Sequence, residues 1–357
     1  MSNKNKIFFI TLSLCLIGLL MIYSASNIVA LDKYKDSFYF FKRQSLFFLF
    51  GLIIMFVTSK IDYHSYINHS KKLLLFGYLL LIWVLIPGIG QVRGGSQSWY
   101  SLGPFSFQPS ELFKIFTIFY LSNHLSKNYH RTKKIKYIIL PLFSILLGFG
   151  LIMLQPDFGS GFIMTGSGII LIFISLLPLY FFMFLGLLGI LGALLLIIIA
   201  PYRLKRLLSF LDPFSDPLGS GFQAIQSLYA IGPGGILGVG FNNSIQKHFY
   251  LPEPQTDFIF AILSEEFGLI GSIFTIFLFY KLFQTGTKIA LQAKDLQGYY
   301  LAMGCTCLIS LQTIVNLCVV TGLFPVTGVT LPFISYGGSS LVVTMMCIGI
   351  IMNIAKK

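Results

Sequence analysis

Charge is what this chain has least of: only 10% of its 357 residues are Asp, Glu, Lys or Arg, and the acids number just 12. An ordinary soluble domain carries about 25% charged residues, so a water-exposed globule is excluded. Cysteine is scarce too. The five present, Cys15, Cys305, Cys307, Cys318 and Cys347, lie in apolar runs without C-x-x-C spacing, which excludes a zinc or disulfide framework and reads as packing. No G-x-x-x-x-G-K-[ST] occurs, and Gly88-Ile-Gly90 and Gly232-Pro-Gly-Gly235 both miss G-x-G-x-x-G, so no cradle for nucleotide phosphates is recognisable. The basic residues give a net charge of +13 but are scattered over short segments instead of forming one patch interleaved with aromatics. Nucleic acid is therefore excluded as a partner.

Apolar residues are what the chain has in excess: 55% of the total, with a mean hydropathy of +0.82. A helix crosses a bilayer with about 20 such residues, and ten segments qualify, at about 7–29, 44–59, 72–87, 109–125, 137–154, 159–177, 179–200, 257–282, 297–322 and 334–355. The expectation is an all-α, polytopic membrane protein with ten transmembrane helices, forming a single integral domain over 1–357. The first run follows Lys4 and Lys6 and lacks a small-residue cleavage site, so it reads as a retained span. An even number of spans puts both termini on one side. That side carries fifteen basic residues against nine on the other, with Lys114 inside the fourth span, and the positive-inside rule makes it cytoplasmic. Segments 88–108 and 201–256 then fall outside the cell membrane. The second, between the seventh and eighth helices, is roughly 55 residues long and predicts a short amphipathic helix over 221–230.

The few acids concentrate attention on Tyr250-Leu-Pro-Glu253-Pro-Gln-Thr256-Asp257-Phe-Ile-Phe260. Ionisable groups beside hydrocarbon are kept for function. Thr256 is expected to cap a span beginning at Asp257, whose carboxylate in the first turn would be held ionised by the helix dipole, as a general base must be. Support of the helix start alone is the plainer reading. Glu265 and Glu266, about 12 Å deeper, need either an internal hydrogen-bond network or a chemical role. In Gln108-Pro-Ser110-Glu111-Leu-Phe-Lys114, Glu111 and Lys114 share a helix face and can neutralise each other. Arg93 offers a planar fork for phosphate and Trp99 a ring face for a sugar, with Arg203 and Lys205 as further cations. Asp157 either caps the sixth span or adds a third carboxylate to Asp257 and Glu111. Three acids there suit a base with its supports, or a divalent cation, Mg or Mn, on Asp157 and Asp257. The stretch 325–340, with Ser335, Gly337, Gly338 and Ser339, is non-helical at membrane depth, tolerated where it is buried or lines a cavity.

These segments resemble the SEDS family of bacterial cell-wall polymerases, which includes FtsW, RodA and SpoVE. The resemblance is carried by Arg93-Gly-Gly with Trp99, Gln108-Pro-Ser-Glu111, Gln155-Pro-Asp157, Gly238-Val-Gly-Phe-Asn-Asn-Ser244, Tyr250 to Phe260 with Glu265-Glu266, and Leu331-Pro-Phe-Ile-Ser-Tyr-Gly-Gly-Ser339, spread in order over essentially the whole chain. It implies a ten-span glycosyltransferase of the bacterial cytoplasmic membrane that polymerises lipid II at the outer face, beside a class B penicillin-binding protein, with Asp257 essential. Asn243 to Pro252 and Thr330 to Ser335 look more like the FtsW and SpoVE branch than RodA, which favours the division machinery over elongation. Gln255 stands where many relatives have His, which weakens any role for a histidine in proton transfer. The expected chemistry is proton removal by Asp257 from an acceptor sugar hydroxyl that attacks the carbon bearing the lipid diphosphate. A transporter flipping the same precursor, and a noncatalytic scaffold, are the alternatives from other classes.

Overall fold

A computed structural model describes residues 2–103, 105–131, 134–175, 177–199, 208–219 and 221–355. A helix falls on each of the ten apolar segments. Helices α1 (Asn3–Tyr34) and α2 (Tyr39–Lys60) are followed by the short α3 (Tyr63–Asn68) and by α4 (Ser70–Trp83). Next come α5 (Pro109–Lys127), α6 (Lys136–Met153), α7 (Phe158–Ile174) and α8 (Leu179–Ile199). The amphipathic α9 (Phe222–Ile231), close to its expected position, leads to α10 (Ile259–Leu291), α11 (Leu296–Val320) and α12 (Gly338–Ile354). Five of these, α1, α2, α6, α10 and α11, are long and apolar enough to cross a membrane. Their outward faces carry large apolar side chains, such as Leu46, Leu49, Phe50 and Ile53 on α2, each more than half exposed. Acyl chains cover such a surface in a bilayer, and the protein is a multi-pass membrane protein.

Capping sets where the helices start. Asp62, Asp157 and Asp295 each accept a first-turn backbone N–H of α3, α7 and α11, and Pro109 occupies the first turn of α5, where a missing N–H costs little. Helix α11 is the central pillar, in contact with α5, α7, α10 and α12, while α2 lies along α12 and α1 closes against α2 and α10. On α11, Tyr300, Leu301 and Ile309 are fully enclosed.

Two expectations need correction. The chain is not purely helical, because residues 90–107 form a three-stranded antiparallel sheet of β1 (Gly90–Arg93), β2 (Ser96–Leu102) and β3 (Phe105–Phe107). The alternating Ser96-Gln-Ser-Trp-Tyr-Ser stretch after a Gly94-Gly95 turn has strand periodicity. So small a sheet needs anchoring: Tyr100 donates its hydroxyl to Leu80 O at 2.8 Å, Gln97 Nε2 donates to Val84 O at 3.2 Å, and Ser96 Oγ donates to Gln155 O. The eighth apolar segment, expected to be helical from Asp257, begins at Ile259 and is broken at Gly268, whose φ of 61° and ψ of −160° suit glycine alone.

Segment 235–240 fills that break. Leu269 N–H donates to Gly235 O at 2.9 Å and Ile270 N–H to Ile236 O at 3.2 Å, while Val239 and Gly240 donate to Glu265 O and Glu266 O, both at 3.0 Å. The long connection before α10 is thus threaded into that helix. Residues 325–337 penetrate similarly from the other end of the chain. At Gly18, halfway along α1, a β-carbon would strike the Phe333 carbonyl.

Candidate functional site

Pro252 and Pro254 keep 251–257 out of helical conformation, and Glu253, at φ 46°, turns the chain. Thr256 closes that turn, its N–H and Oγ1 both donating to Glu253 O, at 3.0 and 2.8 Å. Phe258, not Thr256, occupies the cap position of α10. The expected cap is therefore absent, and Asp257 lies before the helix instead of in its first turn. Its carboxylate accepts no hydrogen bond from the described residues. Asp257 keeps some contact with solvent, yet is surrounded closely enough that burial, with a smaller contribution from the Glu253 charge, pushes its pKa up to about 7. The helix dipole does not hold it ionised, contrary to expectation.

Segment 325–337 forms the wall beside Asp257. Gly328, at φ 72°, adopts a backbone that L side chains rarely reach, and a β-carbon there would lie 3.7 Å from Asp257 Oδ2. Ser335 Oγ donates to Thr256 O at 2.6 Å and accepts Leu331 N–H at 2.8 Å, and Tyr336 N–H donates to Gln255 O at 2.8 Å. Buried Gln44 of α2 holds both flanks, donating to Ser335 O at 3.2 Å and accepting Gly337 N–H at 3.3 Å. Gly338 is where α12 meets the Phe47 ring; a β-carbon would come within 2.5 Å of it. Ser339 reaches the start of α5, accepting Gln108 N–H at 3.3 Å and donating to Ser106 O at 3.2 Å.

Asp157 and Glu111, the other two acids expected at the site, are already engaged. Asp157 caps α7 by accepting Ser160 N–H at 3.1 Å on one oxygen, and accepts Gln108 Nε2 at 2.7 Å and Ser110 Oγ at 3.5 Å on the other. With both oxygens on donors, Asp157 is a poor fit to a divalent cation shared with Asp257, and the described residues hold no cluster of three or more His, Cys, Asp or Glu placed for a metal. Glu111 and Lys114 form a buried ion pair at 2.9 Å, and Lys114 also donates to Gln312 at 3.1 Å. Arg93 donates to Ser106 Oγ at 2.9 Å and to Gln91 at 3.2 Å, with its guanidinium 5.4 Å over the Trp99 ring. Hydrogen bonds thus connect Arg93, through Ser106 and Ser339, to Gln108 and Asp157. Arg203, Lys205 and Arg206 lie outside the described residues.

Sequence reasoning missed Lys247, giving it no role beyond one of the nine basic residues counted on the outer side. It is buried, donating to Asn242 O at 2.7 Å and Oδ1 at 2.6 Å, to Ser24 of α1 at 3.3 Å, and to Glu266 at 3.3 Å. Ile245 N–H donates to Glu265 at 2.8 Å, and Ser244 also serves that carboxylate. Glu265 and Glu266 therefore sit in an internal network, the first of the two alternatives raised for them. Gln312 and Asn316 were missed as well. Their signal is two carboxamides four apart in an apolar helix, which puts both on one face.

Comparison with known proteins agrees with the fold. The cell cycle protein family of FtsW, RodA and SpoVE matches residues 5–357. Stage V sporulation protein E of Bacillus subtilis (strain 168) is 50% identical over 348 residues, covering 97% of this chain and 95% of its own. The probable peptidoglycan glycosyltransferase FtsW of Coxiella burnetii is 42% identical over 351 residues, covering 97% and 94%. Among solved structures, a chain of a peptidoglycan synthase complex that coordinates polymerization and crosslinking superposes with a TM-score of 0.80 at 30% identity, covering 98% of this chain and 96% of that one. The rod shape determining protein RodA of Thermus thermophilus gives 0.73 at 25% identity, covering 98% and 95%.

Proposed function

The chain belongs to the FtsW, RodA and SpoVE family, and from that premise we propose that it is a peptidoglycan glycosyltransferase polymerising lipid II into glycan strands. The carrying observation is Asp257: a partly accessible carboxyl without hydrogen-bonding partners among the described residues, raised to about 7, at the seam of two non-helical segments. A base is most effective with a pKa near the working pH.

In this reading Asp257 takes the proton from the 4-hydroxyl of the acceptor's terminal GlcNAc. The oxygen attacks C1 of the MurNAc carrying the polyprenyl diphosphate, the C1–O bond to the diphosphate breaks, and the configuration inverts. Charge builds on the departing diphosphate, and stabilising such charge is commonly the largest catalytic contribution. Arg93 is assigned that task, with Trp99 supporting a sugar ring. Ten spans with both termini in the cytoplasm put Asp257 at the outer face of the bacterial cytoplasmic membrane. The partner is a class B penicillin-binding protein, which crosslinks the strands, and the setting is septal synthesis with the division machinery. A sporulation setting is the second reading, favoured by the 50% identity to stage V sporulation protein E.

Purified Asp257→Asn protein given lipid II is the test. Polymer formation should fall by at least about 10²-fold, and retained activity in folded protein would reject Asp257 as the base. In sealed vesicles, movement of lipid II without lengthening would instead identify a transporter.

A further inference from the structure

We propose that Asn316 is a positioning residue for Asp257, clamping the peptide that carries the carboxylate onto the 325–337 segment. The inference rests on the reading of Asp257 as the base. Asn316 is fully enclosed in α11. Its Nδ2 donates to Asp257 O at 2.8 Å and to Val329 O at 2.7 Å, so both N–H donors of one amide are spent on two non-helical segments. One turn earlier on the same face, Gln312 Nε2 donates to Thr330 O at 3.1 Å while its Oε1 accepts from Lys114 at 3.1 Å. Helix α11 thereby holds Val329 and Thr330 in succession, next to Gly328, which lines Asp257 Oδ2.

A carboxylate that accepts no hydrogen bond from the described residues is aimed through its backbone. Asp257 precedes α10 and has no helical ladder to fix it, whereas α11 is rigid and central. Asn316 transfers that rigidity to the Asp257 carbonyl. A displacement of about 1 Å at a reacting group costs up to about 10²-fold in rate, so the clamp belongs to catalysis as well as to packing. A purely structural amide would only satisfy two buried carbonyls.

The test compares Asn316→Ala and Asn316→Ser with wild type in the purified full-length protein supplied with lipid II. For Asn316→Ala, kcat should fall by about 10²-fold with KM changed less than about 3-fold. The acid limb of the pH–rate profile should move to lower pH, because a loosened peptide lets water reach the carboxyl. Glu253 is the charged group acting on Asp257, and it is unchanged in both variants. Asn316→Ser, which keeps one donor, should fall between. If Asn316→Ala does not fold, Asn316→Ser is read alone by the same two measures. Wild-type kcat with an unmoved acid limb in a folded variant overturns the clamp. Asp257→Asn run alongside separates the failures: activity there removes the base assignment, whereas an inactive Asp257→Asn beside fully active Asn316 variants removes only the clamp.

Discussion

At the scale of the residue, Asp257 joins two opposing demands. Its carboxyl is raised from 3.8 to about 7, and the proposed base acts deprotonated, so turnover should climb with pH through about 7 and level off above it. Stability runs the other way. The folded chain keeps this proton up to about pH 7 while the unfolded chain loses it near 3.8, so the group destabilises the fold progressively between those values and fully above them. Asp257→Asn should therefore melt higher than wild type at pH 8 and alongside it at pH 4, measured in detergent. Equal melting temperatures at pH 8 would show that burial does not strain the ion. Lys247 gives a second residue-scale expectation. Lys247→Met leaves Glu266 buried without its cation and should cost about 3–5 kcal/mol. Adding Glu266→Gln should restore most of the loss, and a single variant as stable as wild type would refute the pairing.

At the scale of the element, the break in α10 and its filling by 235–240 are interdependent. Gly268→Ala places a β-carbon 2.6 Å from Ile236 O at a backbone conformation that alanine resists, and should destabilise by about 2 kcal/mol or more. Gly150 of α6 is the control, since a β-carbon there meets nothing within 4 Å; Gly150→Ala should be neutral or mildly stabilising. If the two variants unfold alike, the threaded segment is not what makes Gly268 necessary. The sequence disclosed the helices themselves, because long apolar runs leave few alternatives. The sheet at 90–107 was legible only as the short strand periodicity of 96–101, whereas the threading depends on carbonyls of distant segments that no local pattern announces. Asp257, Ser335 and Ser339 were legible as polar residues at the edges of apolar runs. Asn316 was marked only by its four-residue spacing from Gln312, its partner at Asp257 lying 59 residues away, and Lys247 was not marked at all, its partner at Ser24 lying 223 away.

At the scale of the molecule, orientation is the outstanding expectation. With both termini in the cytoplasm, the β1–β2 hairpin faces outward and 127–136 inward. Cysteines introduced at exposed Val92 and Lys134, after Cys318→Ser, should react with an impermeant maleimide in intact cells at Val92 only. Labelling of Lys134→Cys instead would invert the topology and strand Asp257 on the wrong side.

The wall that 325–337 builds beside Asp257 has a consequence for how the protein is made. Asp257 leaves the ribosome some seventy residues before Val329, and Gln44 and Gly18 wait still longer for the last stretch to arrive. Until α12 is inserted and brings 325–337 against them, the nascent chain has a complete Asp257 turn but no fixed wall beside it. Translation stopped shortly before Gly338 would thus yield a membrane-inserted product that is inert, with Asp257 and its Asn316 clamp present but the wall beside them not anchored.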